Sequence, residues 1–328
     1  LPSKENTGTS FYSKEDKRIA FESGKTHTVS AGVNTLFDAI KNSKPGDILE
    51  LNESLPYELT KLPLIKHPLT IRATSGTNPM ILWEKKAAFD IVNGGELRLK
   101  GLSFDGENAP DGSGNAVIRT SKYSMNKNYS LRIEDCAFNN LDVNHSFDVI
   151  SIYKNTFADE IHIENSTFNN ITGHVMALDR ETDDVGIYNA EFVTLINNKF
   201  TNIQGTVLSL HRGGKDESTF GPFLYLDHCT LENVGFGSRN KYQTALSLYG
   251  VQDIVIKNSV FTNTKNIKMH LVVGEPIVNV SNIQMDQAGQ IEVSGDQKYT
   301  LGKVFTKETN PSDLIGTDNA PLGVRINK

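Results

Sequence analysis

Three basic residues stand at equivalent places in consecutive short apolar segments. SFDVISIYK (146–154), GHVMALDR (173–180) and GTVLSLHR (205–212) end on Lys154, Arg180 and Arg212, and TALSLYG (244–250) follows in the same register. If these segments stack as neighbouring strands, the column reads Tyr153-Lys154, Asp179-Arg180, His211-Arg212, Tyr249-Gly250. The three cations then fall about 5 Å apart on one face. Like charges that close repel, so the row needs either an anionic partner or interleaved acids. A linear polyanion with repeating carboxylates meets the first need. Ion pairs with Asp179, Asp183, Asp184 and Glu217 meet the second.

Two insertions leave this column, ETDDVGIYNAEF (181–192) and GGKDESTFGPF (213–223). Long loops on one face of a repeat protein commonly build its binding surface. The stretches 119–129, 142–147 and 235–242 add Arg119, Tyr123, His145, Arg239 and Lys241. These residue types suit abstraction of a proton next to a carboxylate, followed by elimination. A base takes the proton while cations neutralise the carboxylate as the carbanion develops. His211, Tyr188 and Lys215 are candidate bases, and Arg180, Arg212 and Lys215 are candidate neutralising cations. Lys154, Arg180, Arg212, Tyr153, Arg119, Tyr123, Arg239 and Lys241 form the candidate substrate-binding set. His174 leads into an apolar strand and reads as structural. Hydrolysis is the competing chemistry, with Asp179, Asp183 and Asp184 as paired carboxylates. Adjacent aspartates in a loop are also simply solvated or bind Ca²⁺. There is no phosphate loop, dinucleotide fingerprint or zinc motif.

The elements that would position these residues are repeats. Seven segments share the pattern apolar-x-apolar followed five residues later by another apolar residue. Their last apolar positions are Phe104, Phe138, Phe168, Phe200, Leu231, Phe261 and Met285, at spacings of 34, 30, 32, 31, 30 and 24 residues. Self-similarity at this period marks a solenoid. Alternation of period two, as in IHIENSTF and IVIKNSVF, makes it a solenoid of strands. Two or three strands per turn of about 30 residues predict a single-stranded right-handed parallel β-helix, its hand following the general rule for parallel crossovers.

Asn is abundant (31 residues) and recurs in register. Asp135, Asn165, Asn197, His228, Asn258 and Asn282 occupy one turn position, where Asn tolerates left-handed backbone and can bond to the next rung. Cys136 and Cys229 share another position three rungs apart, roughly 14 Å at rung spacing. A disulfide needs Cα atoms within about 7 Å, so both are predicted to be free, packed thiols. Near the start, Val33, Leu36, Phe37 and Ile40 have helical spacing, with Asn34 as a candidate cap. Lys44-Pro45-Gly46-Asp47 then stops the helix. A short amphipathic helix there would cover the open end of the solenoid. The expected organisation is an extension or linker over 1–30, the β-helix over 31–300, and a tail or irregular cap over 301–328.

Composition narrows the function classes. Of 328 residues, 38 % are hydrophobic and 22 % charged, which supports a folded core. The net charge of −6 argues against a general nucleic-acid binder. No apolar run reaches the roughly 18–20 residues of a membrane helix. LPSKENTGTSFYSKEDKR at the start has no apolar leader segment, so the chain reads as a mature protein or an excised domain.

The stretch from about 96 to 275 resembles the C-terminal β-helix domain of two-domain family 6 polysaccharide lyases, the alginate lyases related to chondroitinase B. The resemblance is carried by GNAVIRTSKYSM (114–125), LDVNHSF (141–147), ADEIHIENSTFNNITGHV (158–175), DDVGIYNAEFVT (183–194) and HRGGKDESTFGP (211–222). It implies a parent enzyme that cleaves alginate by β-elimination. In that family a Lys base and an Arg acid lie in the N-terminal β-helix, often with Ca²⁺ neutralising the carboxylate. The family pattern has a Lys-Ser pair followed by Asn, then Arg-His-Gly. Here the nearest string is His211-Arg212-Gly213, with the order reversed, so neither catalytic role transfers. The resemblance makes this chain the half that shapes the cleft and interfaces. Its implied partners are anionic polysaccharide, a second β-helix domain and a second copy of the protein, with no nucleic acid or membrane. The implied setting is secreted or periplasmic, in a bacterium. A non-catalytic polysaccharide-binding or dimerisation β-helix is the alternative.

Overall fold

The computed structural model describes residues 20–121, 126–181, 186–214, 220–238, 243–272, 276–295, 299–306 and 313–325. The repeats fold as a parallel β-helix with three strands per turn. Its three parallel sheets have 11, 11 and nine strands among the described residues. The first runs from Thr26–Val29 to Thr300–Leu301, the second from Gly32–Val33 to Val304–Phe305, and the third from Leu64–Ile65 to Ile291–Ser294. Strands thus begin before residue 31 and continue past residue 300.

The repeat register is a packing register. Phe104, Phe138, Phe168 and Phe200 are fully buried and stack face to face, with ring centroids 4.8, 4.9 and 5.0 Å apart. That is the distance between paired strands, about 4.8 Å. Leu231, Phe261 and Met285 continue the column. Aliphatic side chains fill most of the remaining interior, with Tyr57, Trp83, Phe89, Tyr129 and Phe147 among them.

Left-handed turns make the corners. Asp135, Asn165, Asn197, His228, Asn258 and Asn282 all have φ between 48° and 55°. The side chains join in places: Asn197 Nδ2 donates to Asn165 Oδ1 at 2.7 Å, and Asn258 Nδ2 to Asp227 Oδ1 at 2.8 Å. A second column, Asn140, Asn170, Asn202, Asn233 and Asn263, has φ of 49–61° at the far end of the second sheet. There Asn233 Nδ2 donates to Asn202 Oδ1 at 2.8 Å and Asn263 Nδ2 to Asn233 Oδ1 at 3.1 Å.

The cysteines are free and buried. They share a column with Ser166, Asn198 and Ser259, in which side chains accept backbone N–H groups of the preceding rung. Ser166 Oγ accepts from Cys136 N at 3.1 Å, and Ser259 Oγ from Cys229 N at 3.0 Å.

A helix closes the N-terminal end. The helix Thr35–Asn42 buries Leu36 and Ile40 over the first rungs. Asn34 precedes it in left-handed conformation but makes no side-chain cap. Its amide instead bonds to the next rung, donating to Thr60 Oγ1 at 2.7 Å and accepting from Thr60 N at 3.1 Å. At the other end, residues 313–325 run back along the first left-handed column. Asn282 Nδ2 donates to Ile315 O, Asn258 Oδ1 accepts from Thr317 N, and His228 Nδ1 faces Gly323 O at 3.2 Å. Asn197 Oδ1 accepts from Arg325 N. This segment thus pairs with turn side chains at the solenoid surface, adding to the bonds that they make between rungs.

Candidate functional site

Chain register places the candidate residues along the third sheet. Arg119, Ser151, Ala177, Ser209, Ser247 and Lys268 form one column. Two residues further along each strand, His211, Tyr249 and His270 form another. The rings of Tyr249 and His270 stack at 4.9 Å and 15°, while His211 is tilted against Tyr249 at 5.9 Å and 47°. His211 Nε2 lies 3.0 Å from Ser247 Oγ. His270 is an addition to the column as read from the sequence. Its segment NIKMH carries the same alternation but follows the preceding strand after a shorter turn.

The row of three surface cations needs correction. Arg180 is exposed and Lys154 half-buried, but Arg212 is only 1 % exposed. Its Nη1 donates to Gly221 O at 2.6 Å, and its backbone pairs antiparallel with Tyr188. Gly213 N donates to Ile187 O at 2.9 Å, and Gly186 N to Gly213 O at 2.6 Å. The two insertions are therefore stitched together, with the Arg212 guanidinium inside. Gly221 lies against the Tyr188 ring, where a Cβ would come within 2.8 Å of ring carbon. The sequence pattern placed Arg212 in the right column. It could not show that the insertion following it folds over its own guanidinium.

Tyr188 is also buried, and burial, with the Glu191 charge adding, pushes its phenol up to about 12. It therefore stays protonated at neutral pH and is a poor base as it stands. Arg119 is a third exposed, and its Nε and Nη2 donate to Asp90 Oδ2 at 3.2 and 3.1 Å. Tyr153 is 37 % exposed. Lys215, Tyr123, Arg239, Lys241, Asp183, Asp184 and Glu217 lie outside the described residues.

Several supporting residues were not singled out by sequence. Buried Asn189 accepts Arg180 N at 3.2 Å and donates to Thr156 O at 3.2 Å, fixing the backbone from which Arg180 projects. Buried Glu181 accepts Asn155 N. Asp148 is buried and accepts His174 N at 2.8 Å. Burial raises its carboxyl above the usual range, against the pull of His174 and Arg180. His174 keeps the structural role read from the sequence, since its Nδ1 accepts Thr206 N at 3.0 Å. Glu181 and Asn189 lie in a loop string and Asp148 in a strand, and none of them carries a sequence signal of burial, so only the folded chain reveals these contacts.

Among the described residues, no group of three or more His, Cys, Asp or Glu is arranged to hold a metal ion. None of their helices is long and apolar enough to cross a membrane.

The solved structures that this chain resembles include an alginate lyase and its mutant. The PL6 family alginate lyase AlyGC superposes with a TM-score of 0.86 at 37 % identity, covering 92 % of this chain and 42 % of that enzyme. An arginine-to-alanine mutant of AlyGC gives a TM-score of 0.85 at 38 % identity over the same shares. The chain thus spans less than half the length of the enzyme it matches. No protein-family model and no curated protein matches it.

Proposed function

Because this chain is a β-helix domain of the kind found in polysaccharide lyase family 6, we propose that it is one half of an alginate lyase acting by β-elimination. In this reading it is the C-terminal half, and it binds and positions the polyuronate instead of breaking it. The observation that carries this is the 37 % identity over 92 % of the chain against only 42 % of AlyGC. The candidate chemistry agrees with a supporting role. Arg212 serves as a strut inside the insertions, Tyr188 is held protonated, and His211 faces Ser247. Exposed Arg180 and half-buried Lys154, with Tyr153 beside them, remain for the polymer.

The Ca²⁺ that the family resemblance implies would act in the N-terminal β-helix of the parent enzyme. The setting that suits such an enzyme is secreted or periplasmic. A second β-helix domain, or a second copy, would dock on this one. One observation favours the first sheet for that contact: Phe192 and Phe223 stack at 5.0 Å on its outer face, and the same column continues through Asp253 to Ile277, which is 62 % exposed.

Retention of the purified chain on an alginate gel tests the binding role. The expected result is salt-sensitive retention, because exposed ion pairs weaken as salt shortens the screening length. It should drop in the Lys154→Ala/Arg180→Ala double variant. Retention that ignores both salt and the double variant would remove the cationic row from the account.

A further inference from the structure

A concavity of about 300 Å³ opens at the corner between the second and third sheets, and its described lining holds no residue of the cationic row. We propose that it is a separate carbohydrate site that takes the hydroxyl groups of a saccharide and not its carboxylates.

The inference rests on what lines the space and how it is held. Asn144, His145, Gln204 and Ser238 offer amide, imidazole and hydroxyl groups, and among the described residues neither Lys nor Arg lines it. Asp142, also in the wall, would repel a uronate carboxylate but accepts well from a sugar hydroxyl. A volume near 300 Å³ is at the lower end for ligand sites and suits a few sugar rings at most.

The wall is built before any ligand arrives. Asp111 carboxylate oxygens hold Asn144 Nδ2 at 2.7 Å and His145 Nδ1 at 2.8 Å. Asp142 Oδ2 accepts from Asn170 Nδ2 at 2.7 Å, and the His145 carbonyl accepts from Thr172 Oγ1 at 2.8 Å. In neutral His145, a proton on Nδ1 toward Asp111 leaves Nε2 as an acceptor. Sugar hydroxyls, which both donate and accept, match such a mixed set.

Glycines keep the floor low. Gly173, Gly205 and Gly237 lie in the concavity on successive rungs, and a Cβ on any of them would meet neighbouring atoms at 2.4, 2.1 and 2.7 Å. Packing against the neighbouring rungs therefore requires glycine at these three positions, and none of them puts a side chain into the space.

The probe is an alginate trisaccharide whose carboxyl groups have been reduced to alcohols, titrated calorimetrically into the full chain. Binding is expected, weakened by about fivefold in Gln204→Ala and in Ser238→Ala as each loses one neutral hydrogen bond. Gln204 is held by its backbone, donating to Ile171 O and accepting from Gly237 N, which alanine keeps, so both variants should melt with the parent. Absence of binding to folded protein overturns the inference, as does affinity that neither Gln204→Ala nor Ser238→Ala alters. Gel retention on native alginate reads the cationic row independently, so failure of one site is distinguishable from failure of the other.

Discussion

Arg212 Nη1 donates to the Gly221 carbonyl at 2.6 Å, nine residues further along the chain, from a side chain that is 1 % exposed. A charged donor thus ties the second insertion to the rung from which it departs. Removing it leaves a buried carbonyl without this partner and a void beside Tyr188. Arg212→Ala is expected to lose about 2–4 kcal/mol in chemical denaturation. Exposed Arg180→Ala should leave the denaturation midpoint unchanged. Equal midpoints for the two variants would contradict the burial assignment.

Phe168 lies between Phe138 and Phe200 in the aromatic column, fully buried. Phe168→Ala is expected to cost about 3–5 kcal/mol, as for other buried aromatics. Leu at the same place should cost less, because Leu231 already occupies the equivalent position of a later rung. A near-zero change for Ala would mean that the stack does not hold the rungs together.

Burial pushes the Cys136 and Cys229 thiols up to about 12. A thiol reagent at about pH 8 should therefore label neither cysteine in the native chain and both after unfolding. The sign for stability follows. Unfolded thiols ionise near their ordinary value of about 8.5, so the contribution is present below that pH and is lost as pH rises toward the folded value. Fast native labelling would show that the column opens.

His228 is held below its ordinary value, chiefly by burial. As pH falls, the unfolded chain takes up this proton first. The contribution is present above about pH 6.5 and is lost as pH falls through the lower folded value. His228 faces Asp318 at 3.0 Å and Gly323 O at 3.2 Å, so the loss should appear where 313–325 packs. Hydrogen exchange of the Gly323 and Val324 amides, corrected for intrinsic rates, is expected to speed up between about pH 7.5 and 5. Unchanged protection would detach this segment from the histidine.

The solenoid was legible because its determinants repeat. Phe104 to Phe200 and Asp135 to Asn282 each recur once per rung, so one reading of the register locates many contacts at once. The second Asn column, 140 to 263, was equally periodic and could have been read the same way. The insertions carry no such redundancy. Whether Arg212 faces solvent or its own loop depends on the path of 213–223, and no periodicity specifies that path. Asn34 shows the same limit at smaller scale. Its position before the helix is right for a cap, but the neighbouring rung offers Thr60 as a two-point partner and takes the side chain.

Incubating the folded chain with alginate, while following the ultraviolet absorbance of the unsaturated product, tests the central claim most directly. A flat trace is expected, from protein that an alginate gel retains at low salt and releases at high salt. A steady rise in absorbance would contradict the account, because it would place base and acid within these 328 residues.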